Sequence, residues 1–183
     1  AGKPWPVGHL LKNPEYAAVL KDIAKNGSKA LLEGPVAEAI VKKVQGHATN
    51  PGKLTTADLA AYKPVKRDAL CSDYTPKISG APARTYRMCG FPPPSSGAIA
   101  VGQILGILNN TNAHQMALGA DGLPTADWLY LYAEASRLAF ADRNQYVADP
   151  AFVKAPGGDW SSMLRPGYLA ERAKLIGAQS MKV

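Results

Sequence analysis

The sequence predicts an α+β protein: a mostly helical chain with one pair of β-strands in its middle. Apolar residues recur at helical spacing in the first third and in the second half of the 183 residues, which is typical of helices that bury one face. Between these regions, residues 65–75 and 84–91 carry β-forming side chains around a stretch rich in Pro, Ser and Gly. We therefore expect a helical part (1–63), a β pair (64–91) and a second helical part (92–183).

The first helix is predicted to begin at Asn13 and Pro14, because Asn is a good N-cap and Pro suits the first helical position. Asn26 and Gly27 are expected to end it. Its apolar face consists of Tyr16, Val19, Leu20, Ile23 and Ala24.

Two more helices are expected in the first helical part. One begins at Pro35 and breaks at Gly46. A short one ends near Tyr62, since Thr55 followed three residues later by Asp58 resembles a capping pair. The inner face of the longer helix consists of Ala37, Ile40, Val41 and Val44.

The two predicted strands are joined by a loop of about eight residues, which indicates antiparallel neighbours. Cys71 and Cys89, the two cysteines of the chain, lie one on each strand. Antiparallel pairing brings them face to face only in a suitable register, so a disulfide and two reduced, partly buried thiols both remain open. An oxidising compartment would favour the disulfide.

The second helical part begins with an extended arm, Phe91 to Gly97, which contains three consecutive prolines. Ser95 or Ser96 is predicted to cap the helix that follows. That helix, from Ala98 to Leu108, is apolar all round apart from Gln103, so we expect it to be buried.

The longest helix is predicted from near Thr125 to about Val147, and a last helix opens at Pro166. The longest helix carries an apolar stripe of Trp128, Leu131, Tyr132, Ala135, Leu138 and Ala139. The last helix presents Leu169, Ala173 and Ile176.

Few residues suggest chemistry by themselves. Ser95 and Ser96 at a helix start could bind an anion, although plain N-capping is the favoured interpretation. Glu134 and Arg137 are three residues apart and can pair on the helix surface. Asp142 lies near the buried stripe and needs a partner; a structural ion pair or bonds to a neighbouring segment are favoured over catalysis.

Composition excludes several classes of protein. Two cysteines are too few for a disulfide scaffold or a four-ligand zinc site, and His9, His47 and His114 fall in predicted loops without metal-ligand spacing. No run approaches the roughly 18 apolar residues of a membrane span. The net charge of +7 arises wholly in residues 1–92. No basic block of five or six residues appears there, so nucleic-acid binding is the weakest alternative.

Several blocks of the sequence resemble gamma-glutamyltranspeptidases. The most specific is Tyr86-Arg87-Met88-Cys89-Gly90-Phe91-Pro92-Pro93-Pro94-Ser95-Ser96-Gly97. The others are residues 11–17, 54–62, 134–143 and 146–150, and all occur in family order over essentially the whole chain. One departure is Ala98, where the family usually continues with a second glycine.

The resemblance implies part of an N-terminal-nucleophile hydrolase with an αββα sandwich. Such a precursor cleaves itself into a large and a small subunit, and the threonine exposed on the small subunit attacks the γ-glutamyl amide of substrates such as glutathione. The glutamyl group then passes to water, an amino acid or a peptide. Bacterial members are commonly periplasmic or secreted.

The same resemblance places this chain in the later half of the large subunit, as a single fragment that stops before the self-cleavage site. The family's Thr-Thr-His block and its substrate-binding arginine are not found here. We therefore expect no catalytic, cofactor-binding or metal-binding residue in the chain and no cofactor, and we expect the fragment alone to be inactive. Its expected partners are the small subunit, the rest of the large subunit and γ-glutamyl small molecules. We expect no binding to nucleic acid and no membrane-spanning segment.

Two alternatives remain. A related acylase acting on glutaryl or cephalosporin side chains could share these blocks, because specificity is decided elsewhere. A non-catalytic binding module with this fold is the second alternative.

Overall fold

The computed structural model describes residues 2–78 and 80–181 and confirms the α+β class. The chain divides into two compact units, Ala1–Val65 and Lys66–Val183, which we call the first and second unit and describe separately. Within the described residues, no helix is both long enough and apolar enough to cross a lipid bilayer.

The first unit is helical: α1 (Pro14–Asn26), α2 (Lys29–Leu32), α3 (Gly34–Gln45) and α4 (Thr56–Ala61). The predicted start of α1 is confirmed, because the Asn13 side chain accepts a hydrogen bond of 2.9 Å from the Tyr16 backbone N–H. Helix α2 is a single turn that the sequence analysis did not predict. It has no apolar periodicity, and only backbone hydrogen bonds define it.

The predicted apolar face of α1 is only partly covered within the chain. Val19 and Ile23 are half-buried, whereas Tyr16 and Leu20 are exposed. On α3, Ala37 is fully buried and Ile40, Val41 and Val44 are half-buried. The first unit therefore forms helices where the pattern predicts them but provides little apolar surface to bury α1.

Helix α4 begins with the predicted capping box. The Thr55 hydroxyl accepts from the Asp58 backbone N–H at 3.2 Å, and the Asp58 carboxylate accepts from the Thr55 N–H at 2.8 Å. Hydrogen bonds from the Thr55 side chain and backbone lower the pKa of Asp58. The backbone N–H groups of Thr55 and Asp58, at the N-terminal end of the helix, are thereby both satisfied.

The second unit opens with a two-stranded antiparallel sheet, β1 (Leu70–Tyr74) and β2 (Tyr86–Gly90). Both strands are shorter than predicted. Beyond the Tyr74–Tyr86 pair, Thr75 and Thr85 meet through their hydroxyls at 2.8 Å instead of through a backbone ladder. Pro76 follows and has no N–H to donate, which ends the pairing.

The register of the sheet decides the question that the sequence left open. Cys71 lies directly opposite Cys89, and the two form a disulfide, with Cα atoms 4.1 Å apart. A cross-strand pair in direct register is close enough for this bond without backbone displacement.

Three longer helices complete the second unit: α5 (Gly97–Asn109), α6 (Ala126–Tyr146) and α7 (Pro166–Ala173). Short 3₁₀ turns lie at Ala113–Gln115, Pro156–Gly158 and Trp160–Leu164. The core of the unit consists of Ile107, Leu108, Ala113, Ala135, Leu138, Leu169 and Ala173.

Helix α5 is buried on one side only. Ile99, Gln103 and Ile107 are fully buried, so the predicted burial of this helix is confirmed on this side. Val101, on another face, is 49% exposed. Part of the apolar surface of α5 is therefore left uncovered by the described residues.

Candidate functional site

The two serines of the arm before α5 form hydrogen bonds with other groups of the second unit, one of them on α6. Ser96 stands at the N-cap position, but its side chain makes no capping hydrogen bond to the helix. Its hydroxyl lies 3.3 Å from Nε of Arg143, which donates to it, and the Ser95 hydroxyl accepts from the Gly97 N–H at 3.5 Å. Of the two serines predicted to cap α5, Ser96 makes no capping hydrogen bond, whereas Ser95 accepts from the backbone N–H of Gly97, the first residue of the helix.

Asp142 is the centre of a buried polar cluster. It is 3% exposed, and its Oδ1 lies 2.7 Å from Nη2 of Arg172. Its Oδ2 accepts from Nε2 of Gln103 at 2.8 Å and from the Tyr168 hydroxyl at 2.7 Å. The carboxylate thus holds α5, α6 and α7 together, which agrees with the structural role favoured from the sequence.

The cluster also alters the acidity of Tyr168. Burial, together with the hydrogen bond to the negative Asp142, raises the pKa of the Tyr168 phenol to about 12. Two buried atoms next to these bonds, Oε1 of Gln103 and Nε of Arg172, have no hydrogen-bond partner. Asp142 already accepts from three donors, Gln103, Tyr168 and Arg172. This arrangement suits a structural role better than proton transfer.

Glu134 and Arg137 form the predicted i,i+3 pair, at 3.5 Å between Oε1 and Nη1. Glu134 is nevertheless buried, 1% exposed, which the sequence analysis did not anticipate. Its carboxylate accepts from the Ser180 hydroxyl at 2.9 Å and from the Met181 N–H at 3.1 Å. Residues from the C-terminal end of the described chain therefore complete this second buried site.

The histidines take part in local contacts only. The ring of His9 stacks on Trp5 at 4.1 Å between centroids, and Nδ1 of His47 accepts from the Asn50 N–H at 3.1 Å. Nδ1 of His114 lies 3.2 Å from the carbonyl oxygen of Thr111. Residues 2–78 and 80–181 contain no cluster of three or more His, Cys, Asp or Glu side chains that could hold a metal ion.

An open apolar hollow of about 240 Å³ lies between β2 and the start of α5. Its wall includes Met88, Phe91 and Val101, together with Cys89 of the disulfide. Phe91 is 79% exposed. Most of the lining is apolar, with Ser72 as its polar side chain, so the hollow suits an apolar contact better than a polar substrate.

Sequence reasoning missed the partners that complete both buried carboxylate sites. For Asp142 they are Gln103, Tyr168 and Arg172. The one available signal was Gln103 itself, a single amide in an apolar helix, which must find a polar partner once buried. For Glu134 no pattern pointed to Ser180 and Met181, because the contact depends on how the chain folds back.

The comparisons with known proteins agree with the fold. A family model described as gamma-glutamyltranspeptidase matches residues 1–183. The chain is 36% identical over 181 residues to a glutathione hydrolase proenzyme of Escherichia coli (strain K12), covering 99% of this chain and 28% of that protein. It is 35% identical to an acylase ACY 1 proenzyme of Pseudomonas sp. (strain V22), covering 99% of this chain and 29% of that protein.

A solved structure gives the same result in three dimensions. The crystal structure of Helicobacter pylori gamma-glutamyltranspeptidase superposes with a TM-score of 0.63 at 28% identity, over 96% of this chain and 44% of that one. The chain thus spans less than a third of the length of the two relatives described above.

Proposed function

The chain belongs to the gamma-glutamyltranspeptidase family, and from this membership we propose that it is the later part of the large subunit of a self-processing γ-glutamyl transferase. The parent protein cleaves the γ-glutamyl amide of glutathione and related compounds through a threonine nucleophile. It passes the glutamyl group to water, an amino acid or a peptide. The observation that carries the proposal is the family match over all of residues 1–183.

The role of this part is architectural. Its two buried carboxylates, Asp142 and Glu134, are engaged by donors that hold helices and the C-terminal residues in place. The threonine nucleophile and its substrate-binding arginine belong to other parts of the parent protein. The chain alone is therefore inactive, and no cofactor takes part.

The partners of this part are the small subunit and the remainder of the large subunit. The open hollow at Phe91 and Val101 supports this, since solvent contact with such an apolar surface is unfavourable in a finished enzyme. Burial of these side chains by the rest of the polypeptide would remove that cost.

The parent protein is periplasmic or secreted. The Cys71–Cys89 disulfide supports this location, because disulfides persist in oxidising compartments and are rare in the cytosol. Fractionation of cells that carry the intact gene tests it, and recovery of the protein only from the cytosol would contradict it.

The function is tested with the full-length protein encoded by the gene. We expect a precursor that converts to two bands on a denaturing gel and then releases the chromophore from a γ-glutamyl anilide. The 183-residue chain assayed alone is the control and is expected to show no turnover. A full-length protein that neither cleaves itself nor turns over γ-glutamyl compounds would rule out the proposal.

An acylase is the second candidate function, favoured by the 35% identity to the ACY 1 proenzyme. Glutaryl and γ-glutamyl anilides differ only in the α-amino group, so their relative kcat/KM in the same assay separates the two activities. A processed protein with turnover of the glutaryl compound alone supports the acylase. Absence of both processing and turnover supports a binding module.

A further inference from the structure

Asn26 and Gly27, at the C-terminal end of α1, bring an amide side chain next to an unhindered backbone nitrogen. Asn26 is the last residue of the helix, and Gly27, its C-cap, leaves the helix with a φ of 70° and a ψ of −155°. Both residues are exposed. In the part of the chain that the structure describes, nothing beyond the adjoining residues lies within 4 Å of a Cβ placed on Gly27. The surroundings of this pair are therefore open to solvent.

The side chain of Asn26 can react with the nitrogen of Gly27. Attack of this nitrogen on Cγ of Asn26 forms a carbon–nitrogen bond, and the bond from Cγ to Nδ2 breaks. Ammonia leaves with the proton that the Gly27 nitrogen carried, and a cyclic imide remains. Water then opens the imide at one of its two carbonyl groups and gives aspartate or isoaspartate. The reaction needs no enzyme and no reactant besides water.

The other asparagines of the chain are less suited to this reaction. Asn13 and Asn50 precede proline, whose nitrogen has no proton to lose. The remaining four are each followed by a residue whose side chain hinders ring closure: Asn109, Asn110, Asn112 and Asn144. Glycine has no Cβ, so this hindrance is absent at the Asn26-Gly27 pair.

Two hydrogen bonds restrain the reacting groups while α1 is intact. The Gly27 N–H donates to the Ile23 carbonyl oxygen at 2.8 Å, and Nδ2 of Asn26 donates to Oδ1 of Asp22 at 2.5 Å. Both bonds belong to the last turn of the helix, so both are lost when that turn frays. Ring closure therefore requires local opening of α1 but no unfolding of the rest of the chain.

The last turn of α1 is weakly held. None of the described residues of this helix, Pro14–Asn26, is buried. Its apolar side chains Tyr16 and Leu20 are 60% and 47% exposed. A short helix with little tertiary packing opens at its ends for a small cost in free energy. The restraint on Asn26 is therefore released repeatedly in the folded protein.

We propose that Asn26 is a site of spontaneous deamidation whose rate is set by fraying of the last turn of α1. The product carries a second carboxylate four residues after Asp22, next to the free carbonyl groups of the helix C-terminus, where negative charge is unfavourable. It also no longer donates to Asp22. Modification therefore weakens this turn further, and it does so whether or not the parent protein is an active enzyme.

The test uses the 183-residue chain, incubated in mildly alkaline buffer with and without guanidinium chloride and then digested for mass spectrometry. Each event replaces NH with O and raises the mass of the peptide that contains residue 26 by about one mass unit. We expect this gain in native buffer and a faster gain in denaturant, where no helix restrains the amide. Asn26→Gln should abolish the gain, because the longer side chain would have to close a larger ring, which is slower.

Ala24→Gly tests control by the helix. Ala24 is exposed in the last turn of α1, and glycine weakens a helix at such a position, so we expect deamidation of Asn26 to become about fivefold faster. Ala133→Gly, the same change at an exposed position of α6, is the matched control and should leave the rate unchanged. If Ala24→Gly melts α1 completely, its rate should rise to that of the wild-type chain in denaturant, which also supports the inference.

Three results would overturn the inference. The absence of a gain in native buffer would show that α1 does not open far enough for ring closure. Equal rates for wild type and Ala24→Gly would show that fraying does not set the rate. An earlier gain at another asparagine would show that the site is assigned wrongly. Each of these results leaves the proposed function unaffected, because the reaction does not depend on self-processing or on turnover.

Discussion

Asp142 is the side chain at which three helices meet. Its carboxylate on α6 receives Gln103 from α5 and both Tyr168 and Arg172 from α7. A buried anion of this kind contributes through the donors it satisfies and through the cation it neutralises. Removal of the carboxylate would therefore break the contacts that join α6 to α5 and to α7.

We expect Asp142→Ala to lower the free energy of unfolding by about 3 kcal/mol, because the Arg172 guanidinium would be left largely buried without its anion. Urea unfolding at pH 7 measures the change. Glu171→Ala, which breaks an exposed ion pair, is the control and should cost less than about 1 kcal/mol. A similar small loss for Asp142→Ala would contradict the role assigned to the cluster.

Tyr168 predicts a loss of stability in alkaline solution. Its folded-state pKa of about 12 lies above the ordinary value of 10, so the folded protein holds the phenolic proton more tightly than the unfolded chain does. The resulting stabilisation is complete below pH 10 and disappears as the pH rises towards 12. Tyr168→Phe removes this component, so the stability difference between wild type and variant should shrink across that window in a series of urea titrations. A difference that stays constant between pH 9 and 12 would show that the phenol does not titrate in this way.

The Cys71–Cys89 disulfide joins the two strands of the β pair and stabilises their pairing. An isolated two-stranded sheet is marginal in water, and Cys71 and Cys89 are separated by 18 positions along the chain. In the chain-entropy account, a loop of that size stabilises the fold by about 3 kcal/mol. We expect the Cys71→Ser, Cys89→Ser double variant to lose about 3 kcal/mol of its free energy of unfolding, measured in urea.

The disulfide itself is tested by intact mass. The mass should rise by about two mass units when the wild-type protein is reduced, and an unchanged mass would show that the bond is absent.

Helices α5 and α7 approach closely at a glycine. A Cβ placed on Gly106 would overlap with Cδ1 of the buried Leu169 and lie 3.3 Å from its Cγ. We therefore expect Gly106→Ala to destabilise the protein by about 2 kcal/mol through overpacking. Gly167→Ala on α7 is the matched control, because nothing lies within 4 Å of its added Cβ. It should be neutral or stabilising by up to about 1 kcal/mol, and equal effects at the two sites in thermal unfolding would argue against close packing at Gly106.

Local signals in the sequence were sufficient for the elements that depend on local contacts. The Asn13 cap, the Thr55–Asp58 capping box and the start of α7 at Pro166 follow from residues within one turn of each helix end. The strands were predicted too long, because pairing stops where Thr75 and Thr85 meet through their side chains. Their pairing partners, not their composition, set their ends.

Contacts between distant segments could not be obtained in the same way. The pattern placed Asp142 near the core but could not choose among possible partners, since Tyr168 and Arg172 lie more than twenty residues away on another helix. Glu134 was expected on the surface because its i,i+3 spacing to Arg137 is a local property. Its burial arises from Ser180 and Met181, which only the folded path of the chain brings to it.

For the whole molecule, the large apolar side chains left in solvent predict association. They occur in both units and include Trp5, Leu10, Leu11, Phe91 and Phe152. We expect the isolated 183-residue chain to self-associate or to unfold easily, because these surfaces lack a cover. Sedimentation velocity over a range of concentrations measures it. A monomer at all concentrations with one cooperative, well-separated thermal transition would contradict this expectation.

The Cys71–Cys89 bond also has a consequence for the integrity of the polypeptide. Any peptide bond between the two cysteines can be cut without releasing a piece, because the halves stay joined through sulfur. Trypsin could act there after Lys77 or Arg84, both exposed. A nicked molecule would migrate as one band on a non-reducing gel and as two on a reducing gel.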